Sequence, residues 1–464
     1  MAGGLMQLVA YGAQDVYLTG QPKVTFFQAV YKRHTNFAME LIQQTTNGSP
    51  ASSGRVSVTI ARNGDLVGNM HVALTPATAN LTSNNTIYDT NWIAERAIAA
   101  VELTIGGQRI DKHYQVWWRL YSELFLNEAD KLAWAKMTTY TGSLTAQTTQ
   151  TKVYLPLLFF FNRNPGLYLP LIALQYHEVR LDFDLTNYYS LYFSTSASFE
   201  VWANYVYLDT EERRRFAQKG HEYLIEQVQH TGGDTIFTGA SSGASAETAV
   251  QLVRLSFNHP VKEFIWCYTN PTVTVGTGLS NYGANLNAMW NFTSNTANVN
   301  VTCNVASMAL ANNWVVPHHA GRPVVFNGAG TVTQVQTQAL NGNCYWIEDG
   351  NFTAGSTEVG PLHLFKVILN GQDRFKEQTG KYFNSIQPYF YHTGTPYPGV
   401  YCYSFALQPE EHQPTGTCNF SRIDNAQVSV QMKSNVLTPL QKLFAVNYNI
   451  LRIQSGMGGL AFSN

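Results

Sequence analysis

The sequence predicts an all-β protein built from a duplicated β-sandwich, and three observations predict it. Val101-Glu-Leu-Thr-Ile105 alternates apolar and polar residues, meets Gly106-Gly107-Gln108 and resumes through Arg109 to Lys112; Val367-Ile-Leu369, Asn370-Gly371-Gln372 and Arg374 to Lys376 repeat strand, turn and basic exit. A second pair, Ala203-Asn204-Tyr205 through Leu208 and Val446-Asn447-Tyr448 through Leu451, closes the two halves in the same order. Between these landmarks, short period-2 segments recur with turn signals and few helices, the pattern of a sandwich rather than a βαβ fold. Two such units in tandem mean a duplicated β-domain, and 464 residues exceed what one hydrophobic core usually supports.

Taken in order, residues 1–24 are Gly-rich without a core-forming period and form an N-terminal arm, ordered by neighbouring chains rather than by their own domain. Val24 to Tyr31 then leads into the basic knot Lys32-Arg33-His34. Strands are expected at 56–60, 101–105, 153–158, 177–185 and 199–208, punctuated by Asn63-Gly64, Gly106-Gly107 and Asn164-Pro165-Gly166. Two helices interrupt them, Trp117 to Phe125 and Asn127 to Lys136, the second opened by an Asn cap and first-turn acids. The charged stretch 209–226 reads as a short helical connector, and a new strand series follows at 253–257, 264–268, 367–369, 400–407, 426–432 and 444–453. Between Glu263 and Glu348 the only charged residue is Arg322, yet Trp290 and Trp314 are there to pack, so this tract reads as an ordered insertion. The boundaries that follow are arm 1–24, first domain 25–212, connector 213–224, second domain 225–453 with a long outward loop 269–347, and tail 454–464.

Composition narrows the function classes. Charged residues make up only 13% of the chain, about half the globular average, which implies surface buried against neighbours or coated. A net charge of −1 argues against direct nucleic-acid binding. The strongest apolar run, Leu155 to Phe161, is too short to span a bilayer, and the N-terminus lacks a signal-peptide pattern. All five cysteines lie in the second half with no close pair, as free thiols of a reducing compartment do.

Catalytic and metal patterns are weak, and no catalytic, cofactor or metal residues are assigned. His177-Glu178 and His221-Glu222 lack a second His at helical spacing, and the adjacent His318-His319 would point to opposite faces of a strand. Gly380-Lys381 lacks the earlier glycine of a phosphate loop, and Gly456 to Gly459 lacks the context of a dinucleotide loop. Asp182 and Asp184 share one strand face at about 6.5–7 Å, a separation suited to an inverting glycosidase. The simpler expectation is a one-sided strand, with Leu181, Phe183 and Leu185 in the core and both aspartates facing water or a neighbour.

Longer motifs carry a family resemblance. Gln7 to Gly20, Val30 to Phe37, Ile105 to Tyr114, Pro170 to Val179, Leu208 to Arg213, Gly416 to Asn425 and Asn449 to Gly459 resemble the major capsid proteins of nucleocytoplasmic large DNA viruses. The likeness is closest to the large algal viruses, or phycodnaviruses, then to iridoviruses, and it runs end to end except for the uncharged insertion. It implies a double jelly roll of two tandem eight-stranded jelly rolls with short helices in loops. It further implies a homotrimer forming a pseudo-hexagonal capsomer, and an icosahedral shell around an internal membrane. The inner face would meet minor capsid proteins and that viral membrane, the virion assembling in the host cytoplasm. Outer loops of the family often carry covalent glycans, and Asn291, Asn300 and Asn351 are the candidate acceptors. Two alternatives stand beside this reading: a minor capsid paralogue, and a carbohydrate-binding or carbohydrate-cleaving double β-sandwich, since jelly rolls also serve lectins.

Overall fold

A computed structural model of the chain describes residues 3–76, 82–83, 86–87, 92–138, 152–187, 189–193, 199–236, 250–269, 300–302, 315–317, 323–325, 345–347, 362–396, 399–432 and 440–462. The chain divides into two compact units, Met1–Phe37 and Ala38–Asn464. In the first unit, helices α1 (Gly3–Val9) and α2 (Asp15–Thr19) are joined by a turn in which the Gly12 amide donates to the Asp15 carboxylate at 2.8 Å.

The rest is β-sandwich. The first half supplies β1 (Phe37–Gln44), β2 (Arg55–Thr59), β3 (Leu66–Leu74), β4 (Ile98–Ile105), β5 (Gln108–Tyr114), β6 (Val153–Pro156), β7 (Val179–Leu185) and β8 (Phe199–Leu208). Between β5 and β6 lie helices α3 (Gln115–Leu124) and α4 (Glu128–Thr138), and Asn127 caps the second by accepting from the Asp130 amide at 2.9 Å. Helix α5 (Thr210–Gln218) follows β8. The second half supplies β9 (His221–Thr235), β10 (Gln251–Leu255), β11 (Pro260–Thr269), β12 (Leu362–Leu369), β13 (Gln372–Asp373), β14 (Val400–Ser404), β15 (Ala426–Met432), β16 (Leu440–Gln454) and β17 (Met457–Leu460).

The sheet orders make the duplication explicit. One sheet of the first half runs β1-β8-β3, with β6 and Leu169–Pro170 both on β3; the other runs β2-β7-β4-β5 beyond Thr46–Asn47. In the second half the orders are β9-β16-β11-β14 and β10-β15-β12-β13. Each strand of the first half therefore has its counterpart eight strands later, in the same place in the same sheet. Both halves are jelly rolls, with antiparallel pairing throughout the registers described.

The repeated turn motif is a repeated conformation. Ile105 pairs with Gln108 across Gly106 and Gly107 (φ 57° and 82°), and Leu369 pairs with Gln372 across Asn370 and Gly371 (φ 49° and 80°). Two successive left-handed residues make a type I′ turn, whose twist matches that of antiparallel strands. The second motif pair matches only at strand level. Asn204 on β8 is half-buried and reaches Met39, whereas Asn447 on β16 is buried beside Gln227.

Three expectations are corrected. The connector ends earlier than its charge pattern implies: β9 begins at His221, so residues 221–224 are already strand. Segment 454–464 is no tail awaiting a neighbour, because β17 folds back on β16 through a Ser455-Gly456 turn (φ 54° and 79°) and pairs Gln454 with Met457. Strands β1, β3 and β9 escaped the period-2 search; β3 is buried along most of its length and so shows no alternation. Within the tract 269–347 the structure describes two short ladders, Asn300–Thr302 with Tyr345–Ile347 and Val315–Pro317 with Pro323–Val325.

The β4–β5 turn gives a paired stability test. A Cβ on Gly106 would collide with the His177 imidazole, whereas one on Gly107 meets nothing within 4 Å. Gly107→Ala is expected to cost about 1 kcal/mol in urea unfolding, from the left-handed backbone alone. Gly106→Ala is expected to cost about 2 kcal/mol or more, because backbone strain and overpacking add.

Candidate functional site: the junction between the two jelly rolls

The sheet β9-β16-β11-β14 is apolar on both faces, and that organises the junction. Along β11, Phe264, Trp266 and Tyr268 enter the core of the second jelly roll, while Ile265 and Cys267 point the other way into the core of the first. Val400 and Cys402 on β14 and Phe444 and Val446 on β16 join that second face. Inside its own core, Trp266 stacks on Phe365 at 4.3 Å and lies 5.8 Å from Tyr401. Across the junction, Trp117 of α3 sits 5.6 Å from Phe444, and Tyr114 meets His230 edge-on at 5.1 Å.

Polar groups in this seam are bonded across it. The Val228 amide donates to Asp111 at 3.1 Å, and the Gln227 side-chain amide donates to the Ile110 carbonyl. The Gly394 amide donates to the Leu124 carbonyl at 2.8 Å, at the end of α3. Tyr176 and His177 of the first half bond to Gly456 and Gly458, and Gln108 accepts from the Leu460 amide at 3.1 Å, so β17 straps the two halves together.

Two buried ionic clusters complete the seam. A β-bulge at Lys262 in β11 places its ammonium 2.5 Å from Glu226, whose other oxygen accepts from Arg163 of the first half at 2.9 Å. Burial pushes the Glu226 carboxyl up, but Lys262 and Arg163 outweigh it and hold it below the ordinary carboxylate range. Next along β11, Glu263 lies 3.0 Å from His392, both side chains 0% exposed, and Glu410 contacts the other ring nitrogen at 3.2 Å. The Glu263–His392 contact is an ion pair without an aligned hydrogen bond, and the His392 ring packs edge-on against Phe125 of the first half at 5.1 Å. Burial alone would lower the His392 pKa; Glu263 and the adjacent Cys402 sulfur outweigh it and raise it well above 6.5.

Most residues singled out from the sequence have structural duties. Leu181, Phe183 and Leu185 are core, as the one-sided strand requires. Asp182 accepts from Ser57 at 2.5 Å and from Arg180 at 2.9 Å, and Arg55 bridges to both Asp182 (3.3 Å) and Asp184 (3.7 Å). Burial pushes the Asp182 carboxyl up, but Ser57, Arg180 and Arg55 prevail and hold it below its usual range. A carboxyl held ionised in this way lacks the proton that a general acid delivers. His221 bonds to the Phe216 carbonyl at 2.7 Å. Cys267, Cys402 and Cys418 are free thiols. Among the described residues no cluster of His, Cys, Asp or Glu is arranged to hold a metal ion. His318-His319, Cys303, Cys344, Asn291 and Asn351 lie outside the described residues, and Asn300 opens the ladder with Ile347. The buried clusters at Glu226 and Glu263 escaped sequence reading, because their partners are distant in the chain.

Two eight-stranded jelly rolls of one topology, welded through a shared sheet, define the double jelly-roll class. Comparisons with known proteins place the chain within it. A family profile described as "Large eukaryotic DNA virus major capsid protein" matches residues 212–459, and one described as "Major capsid protein N-terminus" matches 25–209. The major capsid protein of Paramecium bursaria Chlorella virus 1 is 43% identical, and that of Phaeocystis pouchetii virus 38%, each over 100% of both chains. The frog virus 3 major capsid protein is more distant, at 22% identity over 89% of this chain and 87% of its own. The solved PBCV-1 capsid, a quasi-atomic model, superposes with a TM-score of 0.71 at 38% identity, covering 95% of this chain and 100% of that one. The Faustovirus major capsid protein shares the fold at 12% identity, with a TM-score of 0.63 over 97% and 96% of the two chains. The chain belongs to the major capsid proteins of large eukaryotic DNA viruses, and it is a structural capsid subunit.

The raised pKa of His392 predicts a pH dependence with a definite sign. Its stabilising contribution is complete below about 6.5, the unfolded value, and is lost as pH rises through the higher folded value. His392→Gln leaves Glu263 buried without its cation and is expected to cost about 3 kcal/mol at pH 6. In thermal melts the gap between wild type and variant should narrow as the pH becomes alkaline. A gap that widens with pH would contradict the assignment.

Proposed function

We propose that three copies of this chain form a pseudo-hexagonal capsomer, and that such capsomers tile an icosahedral shell around an internal membrane. One observation carries the reading: the two jelly rolls of a chain are topologically the same, so a trimer offers six like units where near-sixfold symmetry is needed. The low content of charged residues supports extensive lateral contact. The free thiols Cys267, Cys402 and Cys418 support assembly in the reducing host cytoplasm.

The arm is assigned to the inner face, toward minor capsid proteins and the membrane. Leu8, Tyr17 and Leu18 are each more than 75% exposed, an apolar density that isolated surfaces rarely carry. The tract 269–347 is assigned to an outward tower, and its two ladders support an ordered insertion. A surface nearly free of charge needs a coat to stay soluble, and Asn291, Asn300 and Asn351 are the proposed glycan acceptors.

Multi-angle light scattering of the purified protein at micromolar concentration should give three times the chain mass of 51.7 kDa; a monomer would refute the capsomer. Removing residues 1–24 should leave a folded trimer that no longer closes shells. Virion-derived chain should weigh more than 51.7 kDa by intact mass spectrometry, and equality would remove the glycans.

A further inference from the structure

The junction within one chain has an inserted half and a receiving half. The inserted half is α3, the helix between the fifth and sixth strands of the first jelly roll, whose Trp117 lies against Phe444. The receiving half is the outer face of β9-β16-β11-β14. Because the two jelly rolls share one topology, each half has a counterpart, and both counterparts carry exposed apolar side chains. Between β13 and β14, in the place of α3, a π-helical turn (Tyr382–Ile386) runs into a short α-helix (Gln387–Tyr391). It presents Tyr389 and Phe390, 81% and 69% exposed, with their rings edge-to-face at 5.2 Å. On the outer face of the first jelly roll's equivalent sheet, Met39 is exposed beside Asn204, and Trp202 is half-buried opposite His71. Tyr154, 38% exposed, packs edge-on against His71 at 5.7 Å.

We infer that Tyr389 and Phe390 of one copy seat on the Met39–Trp202–Tyr154 face of the next copy, repeating between chains the contact that welds the two jelly rolls within a chain. The contact is heterologous: each chain supplies one aromatic helix and one sheet face, so copies join head to tail and close as a ring. Closure at three copies rests on the proposed capsomer. The interchain seam differs from the intrachain one in a way that suits assembly after folding. The receiving face carries a partly exposed Lys152–Glu200 pair at 2.8 Å, with the Trp202 indole donating to Glu200 at 3.0 Å, in place of the buried Glu226 and Glu263 clusters. Two adjacent aromatics meeting Met39, Trp202 and Tyr154 beside such a polar pair have the composition of an interface hot spot.

The test uses the full chain. Tyr389→Ser with Phe390→Ser should leave circular dichroism and melting of the chain unchanged while weakening self-association by at least about 30-fold. Met39→Ser with Trp202→Ser should do the same from the other side. Each double variant alone should sediment as monomer, and an equimolar mixture should form a 1:1 dimer, since each supplies the half that the other lacks. A wild-type trimer with both variants still trimeric would overturn this contact and leave the capsomer standing; a monomeric wild type would overturn both. Should the Trp202 variant misfold, Phe390→Cys with Tyr154→Cys decides. A short bismaleimide should then yield covalent trimers absent from either single variant, and no crosslink in a trimeric sample would refute the seating.

Discussion

A single constraint governs this molecule: through its central part the sheet β9-β16-β11-β14 has no solvent face. An ordinary sandwich sheet turns one side to its core and the other to water, and its strands alternate accordingly. Here Phe264, Trp266 and Tyr268 fill one core while Ile265 and Cys267 fill another, so the second jelly roll cannot stand free without exposing a broad apolar surface. The first jelly roll covers it with α3 and β5, and β17 of the second half straps the two together. The two domains share a core, which fixes their orientation more firmly than the polar contacts of most domain pairs.

Shared burial also explains where the charges are. Glu226 on β9 and Lys262 and Glu263 at the bulge of β11 each have a counter-charge within about the length of one hydrogen bond. Such clusters add little net stability over well-packed apolar residues, but breaking one is costly. Their value here is directional. Arg163 reaches Glu226 from the first half, while Phe125 packs on His392 from the same side, so one docking geometry satisfies both and a slipped one satisfies neither. A capsid subunit must present its outer faces at a reproducible angle, and a seam with one solution supplies that.

Much of the architecture was legible in the chain. The Gly106-Gly107 and Asn370-Gly371 turns were readable because a type I′ hairpin demands residues that tolerate positive φ, and few types do. Strands β8 and β15 were readable to the residue because they alternate and end at turn signals. Strand β3 was not, since its burial on both faces removes the alternation. The match of Asn204 with Asn447 misled at side-chain level: Asn447 is buried beside Gln227, whose amide bonds across the seam to Ile110, whereas Asn204 is only half-buried. The C-terminal glycines looked like a flexible tail because glycine marks both flexibility and tight turns, and only the pairing partner on β16 distinguishes them.

The sequence by itself determined the duplication, the all-β class, the type I′ turns and the family, because each is written in local pattern or in long contiguous motifs. Tertiary structure alone decided which faces are closed and which remain open. The apolar run Phe264 to Tyr268 is the same string whether its second face meets water, the first jelly roll or another copy; only packing reveals that it meets the first jelly roll. The same holds for His392, whose partner Glu263 is far from it in sequence and raises its pKa against the opposing effect of burial. Local pattern is set by dihedral preferences and periodicity within a few residues, while charge pairing and exposed aromatic faces are set by distances between residues that the chain brings together only when folded.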